Sequence, residues 1–139
     1  MTDPIVGFTC SAFDLLLAGH VLMLKECKRN CDKLIVGLQT DPSVDRPDEK
    51  NKPVQGYFER YIQLDAIKYV DEICPYELEN DLVQLLDYVK PDIRFLGDDW
   101  HGKPYTGEPR GTSKGPKVHY TKRYEYSTSE LKARIRRAL

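Results

Sequence analysis

Short apolar runs alternate with segments of helical periodicity along the 139 residues of this chain. Five of the runs have the length of buried strands, at residues 6–9, 33–38, 72–74, 93–97 and 118–120. Apolar residues spaced three and four apart predict helices at residues 19–30, 57–69, 80–88 and 127–139. Strands that alternate with helices form parallel sheets covered on both faces. We therefore expect a single α/β domain over residues 1–139, with a five-stranded parallel sheet and ligands at the carboxyl ends of its strands.

Two long segments interrupt this alternation. Residues 39–55 contain Pro42, Pro47 and Pro53 among polar residues, and residues 101–116 are rich in glycine and other turn-forming residues. Each follows a predicted strand, so we expect both segments to be loops at the same end of the sheet. Loops of this length in a compact domain are usually either functional or disordered.

The charge balance argues against a general affinity for nucleic acid. Lysine and arginine number 21 against 22 aspartate and glutamate, which gives a formal net charge of -1. Basic residues do cluster at 132–137, where a solvated face near the end of a helix is favoured over a nucleic-acid patch. We expect no nucleic-acid partner.

The cysteines and the apolar runs bear on the cellular compartment. Cys10, Cys27, Cys31 and Cys74 contain no C-x-x-C pair, so reduced structural thiols are expected. The sequence shows neither an apolar stretch of bilayer length nor a charged start followed by an apolar segment. A cytoplasmic protein without a membrane partner is predicted.

The turn from the first strand into the first helix carries a candidate phosphate site. Residues 13–20 read Phe-Asp-Leu-Leu-Leu-Ala-Gly-His. A helix N-terminus presents free backbone N–H groups and a positive dipole end to an anion. Gly19 lets the backbone approach a phosphate closely, and His20 is a candidate donor to a transition state that gathers charge on phosphoryl oxygens. Asp14 either orders the turn or takes part in the site.

A second cluster follows the fourth predicted strand, where residues 97–103 read Gly-Asp-Asp-Trp-His-Gly-Lys. Carboxylates at the carboxyl end of a strand can hold a ribose hydroxyl, a base amine or hydrated magnesium. An aspartate pair can also be plain turn chemistry. Glycines on each side and the only tryptophan of the chain favour a site that includes Gly97 and Asp98.

A third cluster opens the last helix. Arg123 precedes three hydroxyl residues, Ser127, Thr128 and Ser129. A capping box with Glu130 explains one of these hydroxyls. Three in succession after a cation suit a triphosphate at a helix N-terminus.

A looser basic group consists of Lys50, Lys52 and Arg60. Lysines in a polar loop are commonly solvated charges. Arg60 is the stronger candidate for binding a phosphorylated co-substrate, because a guanidinium binds phosphate bidentately.

Together these segments resemble the glycerol-3-phosphate cytidylyltransferase branch of the cytidylyltransferase-like superfamily. The likeness rests on the first turn, which matches H-x-G-H at Gly19 and His20, on the G-D-D-W-x-G-K segment at 97–103, and on the hydroxyl run that starts at Ser127. It implies a Rossmann-like three-layer sandwich, often a homodimer, that couples a nucleoside triphosphate and Mg²⁺ to a phosphorylated alcohol with loss of pyrophosphate.

The resemblance also implies roles for individual residues. Catalytic roles fall to His20, Arg123 and Lys52, and acceptor binding to Arg60 and Asp14. The implied nucleotide-binding residues are Thr9, Cys10, Ser11, Phe13, Gly19, His20, Gly97, Asp98, Ser127, Thr128 and Ser129. None of these roles requires a metal held by protein side chains.

The chain departs from the family pattern in three places. Leu17 stands at the first histidine of H-x-G-H, Ser11 and Ala12 stand where a Gly-Thr pair is usual, and Lys122 and Arg123 replace an Arg-Thr pair. Leucine cannot donate a hydrogen bond, and the loss of one such donor costs on the order of 3 kcal/mol in the transition state.

Three functions follow from this reading. The first is transfer of CMP from CTP to glycerol 3-phosphate or a related phosphorylated alcohol, with turnover limited by Leu17. The second is nucleotide binding without turnover. The third is transfer of an adenylyl group to a sugar phosphate or a flavin.

Overall fold

All five predicted strands form, and they build one parallel sheet. A computed structural model describes residues 2–109 and 114–139, and its strands are β1 (Val6–Ser11), β2 (Lys33–Gln39), β3 (Glu72–Tyr76), β4 (Ile93–Gly97) and β5 (Lys117–Thr121). Their order in the sheet is β3-β2-β1-β4-β5, and every neighbouring pair is parallel. The predicted α/β, Rossmann-like sandwich with a five-stranded parallel sheet is confirmed.

The described residues form five α-helices: α1 (Ala18–Arg29), α2 (Pro42–Asp45), α3 (Tyr57–Asp65), α4 (Glu79–Val89) and α5 (Thr128–Ala138). The short α2 lies inside the segment 39–55, so the prediction of a loop is wrong for its four residues. The side chain of Asp41 caps α2 by accepting the backbone N–H of Ser43 at 2.9 Å. Pro42 is at the start of this helix, where its fixed φ is compatible and no N–H is needed.

Helix α3 is shorter than the helical periodicity predicts, since it ends at Asp65 rather than at residue 69. Beyond it, the N–H of Val70 donates to the carbonyl of Ile67, and the N–H of Asp71 donates to the carbonyl of Leu34. The second bond starts the pairing with β2. The apolar side chains at 67–70 therefore pack from a turn that leads the chain into β3, not from a continued helix.

Successive β2 side chains point to opposite faces of the sheet and enter two separate cores. Leu34 and Val36 pack with Leu24 of α1 and Leu64 of α3. On the other face Ile35 packs with Leu82 of α4, together with Phe8 and Tyr76. Helices α1 and α3 thus cover one face and α4 covers the other, which gives the three layers.

The crossover from β4 to β5 covers the α4 face with little regular structure. Apart from a 3₁₀ turn at Asp98–Trp100, the described residues between 98 and 116 contain no helix or strand. Residues 110–113 of the predicted loop lie outside the described part of the chain. For the remainder the loop prediction is confirmed. All four cysteines are free thiols, as expected.

Candidate active site

The sheet has a switch point between β1 and β4, because the chain builds β2 on one side of β1 and β4 on the other. Strand β1 pairs with β2 as far as Ser11. With β4 its register covers only Gly7 with Ile93 and Phe8 with Arg94. Beyond Phe8 a cleft of about 330 Å³ extends along the carboxyl ends of β1 and β4. Open α/β sheets bind their ligands at this position, and we refer to it as the switch-point cleft.

Several predicted nucleotide-binding residues lie together in the switch-point cleft. Thr9, Cys10 and Ser11 line it from β1, and Gly97 lines it from the end of β4. Met23 of α1 also contributes. Because Met23 follows His20 by three residues on the same helix, the start of α1 borders this cleft.

The turn before α1 has an unusual backbone. Phe13 and Leu15 have φ angles of 50° and 52°, a left-handed conformation that is uncommon outside glycine. The backbone N–H of Leu15 donates to Oε1 of Gln55 at 2.9 Å, which fixes this conformation from the loop. The side chain of Phe13 is buried and packs edge-on against His20, with ring centroids 5.5 Å apart. Phe13 therefore supports the histidine through packing.

His20 is oriented by the backbone of the residue that replaces the first signature histidine. The N–H of Leu17 donates to Nδ1 of His20 at 3.0 Å. Burial lowers the pKa of His20, and the charge of Asp14 opposes this shift only in part. The ring is therefore neutral at pH 7, with its single proton on Nε2. That leaves Nε2–H as a donor for a ligand.

Helices α1 and α5 meet at their N-termini through Gly19. A Cβ atom on Gly19 would lie 2.5 Å from the carbonyl oxygen of Tyr126, which immediately precedes the α5 cap. Only glycine permits this approach of the two backbones. The sequence predicts a phosphate contact at each of these helix starts, and the structure brings the two helix starts together.

The hydroxyl run at the start of α5 divides between capping and exposed positions. Oγ of Ser127 accepts the N–H of Glu130 at 3.1 Å, so the predicted cap is present. Thr128 is half-buried, whereas Ser129 and Arg123 are exposed. The side chains of Ser129 and Arg123 are thus accessible to a ligand.

The carboxylate of Glu26 ties α1 to the segment between β5 and α5. It accepts the Lys122 N–H at 3.0 Å and the Tyr124 hydroxyl at 3.0 Å, and it contacts Nε2 of His119 at 2.8 Å. Burial alone would raise the pKa of Glu26, but the hydrogen bonds, led by that of His119, lower it. This contact fixes the path by which the chain enters α5.

Only some residues of the segment that follows β4 line the switch-point cleft. Gly97 lines the cleft, and so does Trp100. Asp98 is exposed, and its carboxylate lies 3.8 Å from Nε2 of His101, whose ring stacks on Tyr120 at a centroid distance of 3.5 Å. Asp98 is not among the residues that line the cleft, and its contact with a nucleotide remains a prediction.

Asp14 has a structural role in the turn. Its Oδ2 accepts the N–H of Val54 at 2.8 Å, and its Oδ1 accepts the N–H of Gln55 at 3.0 Å. Both oxygens thus hold the end of the 39–55 segment against the first turn. Of the two interpretations left open by the sequence, ordering of the turn is the one these contacts support, and acceptor binding by Asp14 remains a prediction.

Arg60 is likewise used inside the protein. Its side chain is 2% exposed. The guanidinium donates to four backbone carbonyls, those of Gln55, Ala12, Gln39 and Thr40. These bonds consume most of the N–H donors that a phosphate would need. Arg60 therefore joins the loops behind the site, and its expected role in acceptor binding remains a prediction.

Lys52 is exposed, and the structure gives it no contact with the cleft. Its charge helps to lower the pKa of Asp41, an effect led by the hydrogen bond from Ser43. Lys50, two residues earlier, does line the cleft. A catalytic role for Lys52 remains a prediction.

A larger groove of about 1280 Å³ lies on the α4 face, between α4 and the crossover. Its lining includes Lys90 and Asp92, which precede β4, and Lys117, the first residue of β5. It therefore lies towards the amino ends of the strands and meets the switch-point cleft only around Arg94, Tyr105 and Thr106. Its position is opposite to the one where such folds bind ligands.

Sequence analysis missed several residues of the cleft. Arg46, Tyr76, Glu79 and Arg94 all line it. Only Arg94 gave a signal, since it is a charged residue in the apolar run of β4 and becomes 3% exposed. The other three lie at the end of α2, the end of β3 and the start of α4, and their meeting in the cleft depends on tertiary contacts.

Two absences in residues 2–109 and 114–139 concern metal ions and membranes. No group of three or more histidine, cysteine, aspartate and glutamate side chains is arranged to hold a metal ion there. No helix in those residues has the length and apolar character needed to cross a membrane.

Comparison with known proteins gives the following relatives. Bifunctional protein HldE of Granulibacter bethesdensis is 34% identical over 113 residues, which cover 81% of this chain and 23% of the relative. Bifunctional protein HldE of Caulobacter vibrioides is 35% identical over 131 residues, which cover 94% of this chain and 27% of the relative. The chain thus spans about a quarter of the length of these curated relatives.

Solved structures share the fold. The lipopolysaccharide core biosynthesis protein from Thermoplasma volcanium matches with a TM-score of 0.59 and 25% identity, over 98% of this chain and 89% of that one. Pantoate-beta-alanine ligase from Francisella tularensis, in complex with beta-gamma ATP and beta-alanine, also has a TM-score of 0.59. At 17% identity, over 93% of this chain and 62% of that one, it supports the fold alone.

The family model described as Cytidylyltransferase-like matches residues 8–134, from β1 into α5. This match includes the switch-point cleft and both helix N-termini. The chain therefore belongs to the cytidylyltransferase-like family of nucleotidyltransferases.

Proposed function

We propose that this protein transfers a nucleotidyl group from a nucleoside triphosphate to a phosphorylated small molecule. An oxygen of the acceptor phosphate attacks the α-phosphorus, a new P–O bond forms, and the α–β bridging P–O bond breaks as pyrophosphate leaves with the electron pair. The observation that carries this proposal is the contact of Gly19 with the carbonyl of Tyr126. It places two helix N-termini side by side, a suitable arrangement for a triphosphate.

His20 supplies the donor that this reaction needs most. With Nδ1 engaged by the Leu17 N–H, the neutral ring offers Nε2–H to a phosphoryl oxygen. A fixed donor accelerates transfer when it interacts more strongly with the transition state than with the ground state. The exposed side chains of Arg123 and Ser129 add charge and hydrogen bonds at the start of α5.

Mg²⁺ is part of the proposal as a companion of the triphosphate. The described residues contain no cluster of side chains that would cage a metal ion. Mg²⁺ keeps several waters and is commonly bound through substrate phosphates. The phosphate oxygens and water would hold the ion, and its charge would stabilise the leaving pyrophosphate.

CTP is the first candidate nucleotide, and glycerol 3-phosphate or a related phosphorylated alcohol is the first candidate acceptor. This choice is supported by the likeness of residues 97–103 to the corresponding segment of glycerol-3-phosphate cytidylyltransferases. Gly97 and Trp100 of that segment line the cleft.

Transfer of an adenylyl group to a sugar phosphate is the second candidate. It is supported by the similarity to a protein of lipopolysaccharide core biosynthesis, since a lipopolysaccharide core is built from sugars. Nucleotide binding without turnover is the third, and only Leu17 favours it, because its side chain removes one donor from the signature.

A homodimer is proposed from the family resemblance. Exposed apolar side chains on α3 support it, since Phe58 is 73% exposed and Ile62, one helical turn later, is 52% exposed. Light scattering coupled to size-exclusion chromatography would measure the mass, and a monomer at high concentration would contradict the proposal.

The function is tested by nucleotide binding and pyrophosphate release. Calorimetry with CTP and ATP would rank the two nucleotides. Release of pyrophosphate would then be measured with the preferred nucleotide, Mg²⁺, and a panel of glycerol 3-phosphate, other phosphorylated alcohols, sugar 1-phosphates and flavin mononucleotide. Nucleotide binding with no turnover on any acceptor would favour the silent alternative, and absence of binding would contradict all three candidates.

A further inference from the structure

Arg94 is buried on β4 with few partners for its charge. Its side chain is 3% exposed. Among the described residues, the guanidinium donates to the backbone carbonyl of Thr106 from Nη1, and its buried Nε has no partner. Its carbon Cζ lies 4.9 Å from the ring centre of Tyr105. Burial of a cation costs free energy unless hydrogen bonds or counter-charges replace the lost water.

Arg60 shows how this protein stabilises a buried guanidinium when no ligand is involved. Arg60 is 2% exposed and donates to four backbone carbonyls. Arg94 has comparable burial but only one such carbonyl among the described residues. The two arginines are almost equally buried, but Arg94 has more N–H donors without a partner in the described residues than Arg60 has.

The surroundings of Arg94 in the switch-point cleft carry an excess of positive charge. Arg46, Lys50 and Arg94 line the cleft together with one carboxylate, that of Glu79. Glu79 is already paired with Nη2 of Arg46 at 2.7 Å, and the buried Nε of Arg46 also lacks a partner in the described residues. The two Nε atoms lie beneath the surface of the cleft, so what the cleft presents to a ligand is uncompensated positive charge that an anion would neutralise.

The crossover keeps Arg94 in this position. Gly107 has a φ of 84°, and a Cβ at that residue would lie 2.8 Å from Nη1 of Arg94. A side chain there would push the guanidinium aside, so glycine lets the loop close over it. The Cys10 thiol, beside Arg94, has a pKa raised by burial and is held on the same wall. This wall adjoins Ser11 and Gly97, which line the same cleft.

We infer that Arg94, with Arg46, binds the phosphomonoester group of the acceptor in the switch-point cleft. This inference rests on the proposed nucleotidyl transfer, in which that phosphate is the nucleophile. A planar guanidinium can bind two phosphate oxygens at once and leave the third free to attack the α-phosphorus. The cleft of about 330 Å³ suits a small acceptor.

The test uses inorganic phosphate as the probe and acetate as the alternative oxyanion, titrated by calorimetry at equal ionic strength. Four proteins are compared: the wild type, Arg94→Met, His20→Asn in the nucleotide part of the site, and Arg136→Met, which removes an exposed arginine of α5. Arg94→Lys, which keeps the charge but not the bidentate geometry, serves if the methionine variant does not fold. Urea unfolding without phosphate is measured for each.

We expect the wild type, His20→Asn and Arg136→Met to bind phosphate alike, and Arg94→Met to bind it about tenfold to a hundredfold more weakly. Arg94→Met should also be at least as stable as the wild type without phosphate, because it removes an uncompensated buried charge. A purely structural arginine would instead destabilise on replacement and leave phosphate affinity unchanged. With Arg94→Lys, weaker phosphate binding by a folded protein is the supporting result.

Four results would overturn the inference. They are no phosphate binding by the wild type, equal phosphate binding by the Arg94 variants, loss of phosphate binding in His20→Asn, and equal affinity for acetate. Binding of CTP and ATP is measured on the same proteins and should survive Arg94→Met. Absence of nucleotide binding in the wild type would contradict the proposed function, whereas a failure confined to phosphate would contradict only the role of Arg94.

Discussion

The backbone N–H of Leu17 donates to Nδ1 of His20 over 3.0 Å, so the retained histidine is oriented by the residue that replaces the missing one. This bond depends on the main chain and not on the side chain at position 17. The Leu17 carbonyl also accepts the N–H of Val21 at 3.1 Å as α1 begins. Leucine therefore lacks the donor that the H-x-G-H pattern has at this position, while the backbone bonds of the turn are present.

Leu17→His should accordingly increase turnover. A second imidazole would restore a donor to the phosphoryl oxygens, and such a donor is worth about a hundredfold in rate. The measurement is pyrophosphate release with the preferred nucleotide and acceptor. Leu17→Phe, which changes size without adding a donor, is the matched control. If the histidine variant binds nucleotide as well as the wild type but is no faster, then Leu17 does not limit turnover.

The lowered pKa of His20 predicts a pH dependence of stability. Burial lowers the folded-state pKa below the ordinary value of 6.5. The unfolded state then binds more protons between the two pKa values, so the contribution of His20 is fully present above about pH 6.5 and declines as the pH falls through the folded-state pKa. Urea unfolding between pH 8 and pH 5 would measure this decline. That interval covers the histidine pKa values of most folded proteins, which lie within about one unit of the ordinary value.

His20→Asn isolates this contribution, because its side-chain oxygen takes the place of Nδ1 as an acceptor for the Leu17 N–H but does not titrate. We expect the free energy of unfolding to fall less steeply below pH 6.5 in this variant than in the wild type, whose histidine has its ordinary pKa at that value. Identical slopes in the two proteins would show that His20 carries no such linkage.

The fold was predictable because each element has a strong local pattern. The apolar run Lys-Leu-Ile-Val-Gly-Leu at residues 33–38 lies entirely within β2. Local patterns failed where tertiary contacts decide. The end of α3 at Asp65 is set by the need to bring Asp71 to the edge of β2, a contact between residues far apart in the sequence.

The site was predictable only where residues contact the backbone of their own motif. The positions of His20, Gly19 and Ser127 at helix starts were predictable because helix starts have recognisable chemistry, and their contacts with a ligand remain predictions. Arg60 was assigned to a phosphate, yet its partners include the carbonyl of Ala12, 48 residues away. No pattern in the sequence indicates which buried arginine has its donors satisfied by distant carbonyls and which does not.

Gly19→Ala should weaken both folding and nucleotide binding. The new Cβ would lie 2.5 Å from the Tyr126 carbonyl oxygen, and a backbone atom cannot move aside as a flexible side chain can. We expect a loss of about 1–3 kcal/mol in the free energy of unfolding, despite the better helix propensity of alanine. Urea unfolding and nucleotide calorimetry would measure the two effects.

Gly56→Ala is the control for this substitution, since its Cβ would be 3.7 Å from Oε1 of Glu59, an ordinary contact. It should change stability by no more than about 1 kcal/mol and leave nucleotide affinity unaltered. If Gly19→Ala behaves like Gly56→Ala, the approach of α1 to α5 is not required for the site.

Arg60→Lys tests whether this residue joins loops or binds the acceptor. An ammonium group cannot reach four carbonyls that are arranged around a planar guanidinium, so the variant should lose on the order of 3 kcal/mol of stability. Arg136→Lys, at an exposed position on α5, should change stability by less than about 0.5 kcal/mol. Since the donors of Arg60 are directed at the backbone around residues 12, 39, 40 and 55, the folded fraction of Arg60→Lys should retain a KM for the acceptor close to that of the wild type. A higher KM for the acceptor with unchanged urea unfolding would instead support acceptor binding by Arg60. The loops around it would then be stabilised by other contacts.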